Sequence, residues 1–597
     1  MSLLDTASLI VTPNGYKEGK LYSVIPSDGS GDMSVVRATT ATRVNSAGLV
    51  ELVPYNLLQY SEQFNNAYWT TNGASVSANA IVSPNGTTTA DKIIEDSANS
   101  VHHILYPQDT PIGTNTLSVY AKEGERNWIW LYLFDSVAGS LFTWFNVNTG
   151  AIGTIQSGLT ASIESVGNGW FRCSITRTQG NIGNGGFGVT NANNVLSYTG
   201  NGTSGAYFWG AQLVQGTLPK DYQKTETRLN IPRLDYSNGT CPSLLVEPQR
   251  TNTLFYSEQF DNAYWLGNTT KTANNTIAPN GINSADRINA TAINFFHRVN
   301  GLSSVNSGTA YTFSVYAKAN TLGFIQLALN TGFTLDYTLS PYANFNLTTG
   351  VVTQNGNGAT AQIESLGNGW YRCSITATSI LTIAGEVNIN LINSGTLTAF
   401  EFWSATATDS LFIWGAQLEA GSYSTSYIPT TSASVTRNAD VVSKTGISSL
   451  IGQTEGTIFL DFVLKNPLSA TNRIISITES TWDTGGSIRL DIDYNKFTAD
   501  FVNGGSNIGN IGYFTTVQPN TRYKVAIAYK LNDCQMYING VDAGSDTTTA
   551  AMPTCSELYL NALGGGFNAP YEASNINATA LWKTRLTNTQ LAQLTTI

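Results

Sequence analysis

The sequence predicts an all-β protein built from tandem β-sandwich modules of the jelly-roll type. Charged residues make up only 12% of the 597 residues and aromatic residues 11%, and there are 55 glycines. Helical surfaces usually carry Lys and Glu partners, whereas sheet surfaces favour Thr and Tyr and need Gly and Asn in their turns. Short apolar runs with a period of two alternate with such turns. One long stretch of the sequence also occurs twice.

The repeat is the most informative of these observations. The string Tyr-Ser-Glu-Gln-Phe begins at Tyr60 and again at Tyr256, a shift of 196 residues. Later landmarks return in the same order, among them Gly-Asn-Gly-Trp followed by an aromatic residue, Arg and Cys, and then Trp-Gly-Ala-Gln-Leu. We therefore expect one sandwich to be present twice. Copies of one compact unit without a catalytic signature indicate a binding or structural protein rather than a metabolic enzyme.

The chain is too long for one core, and we expect it to divide into four parts. The segment 1–54 is small and irregular, so it is predicted to dock onto the first module, a sister chain or a larger assembly. The first jelly-roll module is expected at 55–228. A Pro-punctuated crossing and the second module follow at 229–440, and 441–597 form a different unit.

The C-terminal unit has its own strand landmarks. Residues 456–462 are predicted to form the opening strand, residues 488–493 alternate as a strand does, and the run 522–529 is followed by Cys-Gln-Met-Tyr-Ile-Asn-Gly at 534–540. Asn-Gly is the strongest short signal for a β-hairpin. The last two runs, 522–529 and 534–540, resemble the laminin-G and concanavalin-like jelly rolls, which implies a third β-sandwich.

Charge and composition exclude several classes of partner. With 30 basic and 40 acidic residues the net charge is -10, and nucleic-acid affinity depends on a basic surface. Residues 1–5 lack the basic start and long apolar stretch of a secretory signal, and no run approaches the roughly 20 apolar residues of a membrane span. We expect a cytosolic, soluble product without membrane insertion. Cys173 and Cys373 occupy equivalent places in the modules and are predicted to be core residues rather than part of a disulfide framework.

The candidate glycan-binding residues lie in the first module. Four aromatic residues occur there at every second position, so a strand presents all of them on one face: Trp128, Trp130, Tyr132 and Phe134. At an offset of 195 residues the second module has smaller or aliphatic residues: Gly323, Ile325, Leu327 and Leu329. The fold therefore does not demand the large rings. They are either core or inter-subunit contacts, or a platform for saccharides, which need flat aromatic faces and nearby amides or carboxylates.

We predict no catalytic residue, metal site or cofactor. The three histidines are His102, His103 and His297, of which His103 and His297 fall at nearly matching places, and they are too few for a His-based metal site or a Ser-His-Asp triad. Asp491 and Asp493 share one strand face, where Ca²⁺ binding is conceivable but a solvated face is the preferred interpretation.

A glycosidase needs only two carboxylates, and three acidic residues recur in both modules. The set is Glu62, Asp91 and Glu164 with Glu258, Asp286 and Glu364. Their presence in both copies favours structural roles, such as acceptance of hydrogen bonds from turn amides.

Several elements resemble the carbohydrate-binding-like modules of tailed-bacteriophage virion proteins. They are the Tyr-Ser-Glu-Gln-Phe string, the Gly-Asn-Gly-Trp-Tyr-Arg-Cys element, and Trp-Gly-Ala-Gln-Leu-Glu with Tyr-Ile-Pro-Thr-Thr at 427–431. The segments 37–43 and 244–252 are similar to the same family. Such modules occur on head fibres, tail fibres and baseplate parts, so the resemblance implies a protein of the virion surface.

We interpret the chain as a non-enzymatic structural component of a phage appendage, a head fibre or tail fibre, that binds host-surface or environmental glycans through Trp128, Trp130 and Tyr132. It would be made in the host cytoplasm, form a dimer or trimer, and contact other virion proteins through 1–54. Many copies on one particle would add avidity to weak binding. The alternatives are a polysaccharide depolymerase of a tail spike, which predicts sugar release, and a capsid decoration, which predicts no glycan binding.

Overall fold

The chain folds largely into antiparallel β-strands, and the predicted all-β sandwich class is confirmed. The computed structural model describes residues 3–465, 472–479, 485–493, 495–549, 551–562 and 574–597. Within these ranges, no helix has the length and apolar character needed to cross a membrane. The chain forms two compact units, Val53–Leu229 and a second unit made of Met1–Leu52 with Asn230–Ile597.

The N-terminal part and the first module contain the strands β1 to β18. The N-terminal part has a 3-10 turn at Leu3–Thr6 and the strands β1 (Leu9–Lys17), β2 (Lys20–Ile25), β3 (Met33–Val36), β4 (Ala41–Val44) and β5 (Val50–Val53). The first module has β6 (Thr70–Asn72), β7 (Ala74–Ile81), β8 (Ala90–Glu95), β9 (Asn99–Thr110), β10 (Gly113–Lys122), β11 (Trp128–Asp135), β12 (Gly139–Asn146), β13 (Ala151–Ile155), β14 (Thr160–Gly167), β15 (Trp170–Gln179), β16 (Gly183–Thr190), β17 (Ser197–Thr199) and β18 (Gly205–Gln215).

The crossing and the second module follow. The crossing has β19 (Leu234–Asp235), β20 (Ser243–Val246) and β21 (Arg250–Asn252). The module has β22 (Leu266–Gly267), β23 (Thr270–Ile277), β24 (Asn283–Asn289), β25 (Asn294–Phe295), β26 (His297–Val305), β27 (Ala310–Ala319), β28 (Phe324–Leu329), a 3-10 turn at Tyr337–Leu339, β29 (Tyr342–Asn346), β30 (Val351–Gly356), β31 (Thr360–Gly367), β32 (Trp370–Thr378), β33 (Ile383–Ile392), β34 (Trp403–Ser404), β35 (Ser410–Ala420) and β36 (Val435–Arg437).

The C-terminal part contains the remaining described strands and an α-helix. They are β37 (Val441–Lys444), β38 (Glu455–Leu464), β39 (Asn472–Thr478), β40 (Ser487–Asp493), β41 (Lys496–Asn503), β42 (Ser506–Phe514), β43 (Thr521–Lys530), β44 (Cys534–Ile538), β45 (Val541–Asp546), β46 (Glu557–Leu560), β47 (Ser574–Trp582) and α1 (Asn588–Thr595). The predicted Asn-Gly hairpin is present, because β44 pairs with β45 through Ile538 and Val541.

The unit Val53–Leu229 is one β-sandwich, and its bounds lie close to the predicted first module at 55–228. One sheet has the order β14-β15-β10-β18-β8-β7, and the other β13-β12-β11-β16-β9-β17 with β6 beside β9. Side chains alternate along a strand, so Leu117 and Val119 of β10 meet Ile129 and Leu131 of β11 in the core between the sheets.

The second module repeats this sandwich within the larger unit. Its sheets have the orders β31-β32-β27-β35-β24-β23 and β30-β29-β28-β33-β26-β22. They match those of the first module except at one edge, where β22 takes the place of β6 and the pair β25-β34 forms a separate sheet. Phe313 of β27 and Ile325 of β28 lie in its core. Cys173 and Cys373 are fully buried at equivalent places and carry no disulfide, as predicted.

The N-terminal and C-terminal parts build a sheet together, which the sequence did not indicate. The strand order is β42-β41-β40-β39-β46-β37-β3-β2-β1-β47-β38-β43-β44-β45, with β19 and β20 attached beside β47. Leu9 pairs with Leu581, and Val35 pairs with Val442. Segment 1–54 is therefore not a separate piece. The segment needs few apolar residues of its own, because they complete a core whose other side chains come largely from residue 441 onward.

The hairpin of β4 and β5 covers one face of the second module. Val50 lies in a buried cluster with Tyr316, Trp370, Trp414 and other residues of that module. The Val50 amide donates to the Pro279 carbonyl at 3.0 Å. The module thus completes part of its packing with residues that precede the first module in sequence.

A buried ion cluster joins these distant segments. The Arg37 Nη1 atom lies 2.6 Å from Asp440 Oδ1, and Arg233 bonds both Asp440 and Glu247. Arg437 Nη1 lies 2.7 Å from Glu247 Oε2. At most 4% of any of these five side chains is exposed. The cluster connects the N-terminal part, the crossing and the end of the second module.

We predict that Asp440→Asn lowers the free energy of unfolding by about 3–5 kcal/mol, because Arg37 and Arg233 then lose a buried counter-charge. Urea denaturation measures this. The exposed pair of Glu455 and Lys530 provides the control, since Glu455→Gln should cost less than about 1 kcal/mol. Equal losses in the two variants would contradict the assignment.

The same cluster predicts acid sensitivity. Burial opposes ionisation of Asp440 and Glu247, yet Arg233 and its partners hold the pKa of both carboxyls below the usual values. The unfolded chain therefore takes up protons first as pH falls, and stability is lost progressively below about pH 4. Asp440→Asn should flatten this part of a curve of unfolding free energy against pH.

We also predict that the fragment 53–229 folds by itself with a cooperative thermal transition, because it forms its own compact unit. The matched fragment 252–437 should melt at a lower temperature, since removal of Val50 uncovers Tyr316 and Trp414. Circular dichroism on heating measures both. The absence of a transition in 53–229 would count against the prediction.

Candidate functional site

The pairing register aligns the two modules and corrects the offset used for their aromatic residues. Ile129 lies opposite Phe145 in the first module, and Ile325 lies opposite Phe345 in the second. The two phenylalanines open the repeated Phe-Asn-x-x-Thr-Gly motif. The offset along this strand is therefore 196 residues rather than 195. Trp130 corresponds to Gln326.

The four predicted aromatic residues lie on the outer face of their sheet, whereas the intervening Ile129, Leu131 and Leu133 fill the core. Trp130 is 1% exposed and Tyr132 6% exposed. Trp128 and Phe134 are half-buried. The structure thus brings all four together, but it leaves an open ring surface on Trp128 and Phe134 rather than on Trp130.

Two aromatic residues from β12 complete this cluster, and the sequence analysis missed them. Trp144 lies directly opposite Trp130, and Phe142 lies opposite Tyr132. The Tyr132 and Phe142 rings are stacked, with centroids 5.4 Å apart and planes inclined by 21°. Phe142 and Trp144 occupy alternate positions in Leu-Phe-Thr-Trp-Phe at 141–145, and this pattern could have indicated that the two rings share one strand face.

The loop that follows β16 covers one end of the cluster. The Trp144 Nε1–H donates to the Val195 carbonyl at 3.0 Å, and Leu196 packs against the rings. Gly188 makes room for Trp130, because a Cβ at 188 would lie 2.7 Å from Trp130 Cζ2. In the part of the chain that the structure describes, the buried Trp130 Nε1 has no hydrogen-bond partner.

The half-buried rings of Trp128, Phe134 and Phe142 are the accessible part of the cluster. We call these three residues the aromatic rim. Trp128 Cζ3 would be 2.7 Å from a Cβ at Gly153, so this ring packs closely against β13. Asn193 stands beside the same position and accepts from the Thr154 amide at 2.8 Å. Aromatic faces with an adjacent amide can stack on the C–H face of a sugar ring and bond its hydroxyls.

The equivalent face of the second module has different chemistry. Gln326 donates to Asn344 Oδ1 at 2.9 Å and accepts from Asn390 at 2.9 Å. Asn344 in turn donates to the Leu397 carbonyl at 2.7 Å. All three amides are at most 2% exposed. They fix the loop after β33, so this buried row is a structural support rather than an open platform.

The histidines also align differently from the expectation. His102 and His297 hold equivalent positions, because they pair with Val189 and Leu391 at the same place in β16 and β33. His103 instead corresponds to Arg298. The His103 ring lies 5.4 Å from the Trp130 ring, and burial lowers the pKa of His103. A neutral imidazole therefore belongs to the aromatic cluster at neutral pH.

Two of the recurring carboxylates have the predicted structural role. Asp91 accepts from the Phe64 and Asn79 amides at 2.8 and 2.9 Å. Asp286 accepts from Phe260 and Asn274 at the same two distances. Each carboxylate therefore links the same two segments of its module, the stretch before the first strand and the strand β7 or β23. This accounts for its recurrence without catalysis.

The preferred interpretation of Asp491 as part of a solvated face is wrong. Asp491 is 5% exposed, and Arg473 and Arg489 each approach it at 3.3 Å. No group of three or more His, Cys, Asp or Glu residues suited to a metal ion occurs among the described residues. Two guanidinium groups thus stand where Ca²⁺ binding was conceivable.

Comparison with known proteins identifies no family. No family model matches the sequence, and no curated protein matches it either. Among solved structures, a CBM40 module of a Ruminococcus gnavus sialidase bound to α2,3-sialyllactose is 13% identical, covering 25% of this chain and 86% of that one at a TM-score of 0.22.

Two further solved structures are similar over comparable lengths. A SAP-like pentraxin from Limulus polyphemus is 16% identical, covering 23% of this chain and 68% of that one at a TM-score of 0.20. The binding domain of botulinum neurotoxin serotype G is 15% identical, covering 24% and 36% at a TM-score of 0.20.

We predict that Trp130→Ala lowers the free energy of unfolding by about 3–5 kcal/mol, because it leaves a cavity between Trp144 and Phe142. Trp128→Ala should cost clearly less, since that ring is partly exposed. Urea denaturation of the fragment 53–229 compares the two variants. A larger loss for Trp128→Ala would contradict the placement of these rings.

Proposed function

We propose that this chain is a non-enzymatic, glycan-binding component of a bacteriophage virion appendage. The observation that carries glycan binding is the aromatic rim of Trp128, Phe134 and Phe142 on the outer face of the first module. Trp130 and Tyr132, predicted as ligand contacts, act below the rim as its support. Buried support of this kind holds exposed rings in a fixed orientation, which reduces the entropy lost on binding.

The virion assignment is supported by the sequence elements that resemble phage surface modules and by the duplication of the sandwich. A head fibre or tail fibre of two or three copies would present several rims and gain avidity. Contact with other virion proteins through the N-terminal segment remains a prediction. The surfaces available for it are limited, because Leu9, Val11 and Val35 are buried in the chain's own core.

A polysaccharide depolymerase is the second candidate. The second module offers one pair of acids with the required property, since burial raises the pKa of Glu258 to about 7 and that of Asp286 to about 6. Asp286 is 1% exposed and holds two backbone amides. The pair therefore lacks the open gap in which a sugar would lie between two carboxylates, and this favours binding without hydrolysis.

We predict that the purified full chain binds glycans on an array and on host cells. The double variant Trp128→Ala with Phe142→Ala should reduce binding about tenfold, because one or two rings that stack on the sugar are lost. Phe324→Ala, at the position of Trp128 in the second module, is the matched control and should leave binding unchanged. Release of reducing sugar is measured in parallel, and sugar release would favour the depolymerase. Failure of the unmodified chain to bind would favour a decoration protein.

A further inference from the structure

A cavity of about 490 Å³ lies in the larger unit. Its walls come from four parts of the chain: the β4–β5 hairpin, the crossing around Tyr236, strand β31 with the loop after β35 in the second module, and Lys465 with Asn520 of the C-terminal part. We call this space the hairpin cavity. Its size is within the range of about 300–1,000 Å³ that holds small ligands. The unit thus contains a site-sized space where the sequence indicated only a linker.

The charged side chains in the wall balance one another. Three are basic and three are acidic, and the set is Arg43, Arg372, Lys465, Asp235, Glu247 and Glu364. Arg43 Nη2 lies 3.1 Å from Glu51 Oε2. Glu247 is shared by Arg233 and Arg437. Two of the six wall charges are therefore neutralised by partners beyond the wall.

The other four wall charges form two pairs of opposite sign. Glu364 lies directly opposite Arg372 in the pairing of β31 with β32. Ser237 connects the remaining two charges, because its hydroxyl donates to Asp235 and accepts from Lys465 Nζ, the latter at 3.0 Å. A ligand ion of either sign would lose its hydration to a wall that carries no net charge. The wall therefore favours an uncharged ligand.

Four uncharged polar side chains in the wall keep their hydrogen-bonding capacity for a ligand. They are Tyr236, Gln362, Ser424 and Asn520, and none of these side chains has a hydrogen-bond partner among the described residues. A hydroxyl or a carboxamide can both donate and accept a hydrogen bond. Sugar hydroxyls have the same double capacity. The four groups therefore match a hydroxyl-rich ligand better than one that only donates or only accepts.

The arrangement of these four side chains indicates a compact ligand. They come from four separate segments, namely the crossing, β31, the loop after β35 and the loop before β43. Tyr236 is half-buried and offers an aromatic surface on which the C–H face of a sugar ring can stack. We propose that the hairpin cavity binds a neutral mono- or disaccharide, with its C–H face on Tyr236 and its hydroxyls on Gln362, Ser424 and Asn520. The site shares no residue with the aromatic rim.

Titration calorimetry tests this on the full chain that carries Trp128→Ala with Phe142→Ala, which removes the aromatic rim and leaves the wall of the cavity unchanged. The neutral probes are lactose, maltose and cellobiose, and the charged probes are digalacturonic acid and the disaccharide of glucosamine. At least one neutral disaccharide should bind, and it should bind more tightly than either charged one. Absence of binding by all three neutral probes, or tighter binding of a charged probe, would overturn the proposal.

Two substitutions at position 362 test the cavity itself. This position corresponds to Ser162 of the first module, because each lies opposite the serine that follows the repeated cysteine. Gln362→Ser should weaken binding about tenfold, since it removes one hydrogen bond to the sugar. Gln362→Trp fills the space and should abolish binding, whereas the matched control Ser162→Trp should leave it unaltered.

Circular dichroism establishes that each variant is folded. Unchanged binding by folded Gln362→Ser and Gln362→Trp would contradict the assignment of the sugar to this cavity. Because the titration uses a chain without its rim, failure of the cavity site is distinguishable from failure of the rim.

Discussion

The larger unit depends on one buried cluster of charges. Three arginines, Arg37, Arg233 and Arg437, share the carboxylates of Glu247 and Asp440 almost without exposure. These residues come from segments separated by up to 403 positions. Because an unpaired charge in this environment is strongly destabilising, each segment can occupy its place only when the others are present. The cluster therefore makes the N-terminal part, the crossing and the end of the second module fold as one body.

This dependence explains how the modules are carried. The strands β1 to β3 belong to the same sheet as β37 to β47. The two ends of the chain, which are far apart in sequence, therefore form one domain. The first module interrupts it after residue 52, and the second leaves it beyond β20 and returns at β37. The short pairing of β21 with β36 closes the base of the second insertion. Modules inserted in this way leave intact the core of the domain that the N-terminal and C-terminal parts form.

The two modules show that one sandwich can carry unrelated surfaces. The positions of Trp130 and Trp144 in the first module hold Gln326 and Asn344 in the second. Both pairs support the loop beyond the neighbouring strand, one by ring packing and an indole hydrogen bond, the other by amide hydrogen bonds. The inner face stays apolar in both because the core requires it. The outer face is free to differ: the first module carries the aromatic rim there, whereas the second places Phe296 and Phe400 beside Ala328 and Tyr342.

The sequence by itself determined the all-β class, the repeated sandwich, the buried cysteines and the single face shared by Trp128, Trp130, Tyr132 and Phe134. These follow from local alternation and from repetition, which residues near in sequence decide. Only the tertiary structure decided that Trp130 and Tyr132 are covered and that 1–54 completes the C-terminal sheet. It alone also decided that three arginines gather around two buried carboxylates. Burial and long-range strand pairing depend on contacts between segments hundreds of residues apart. A local sequence pattern does not specify which of these segments pack against each other.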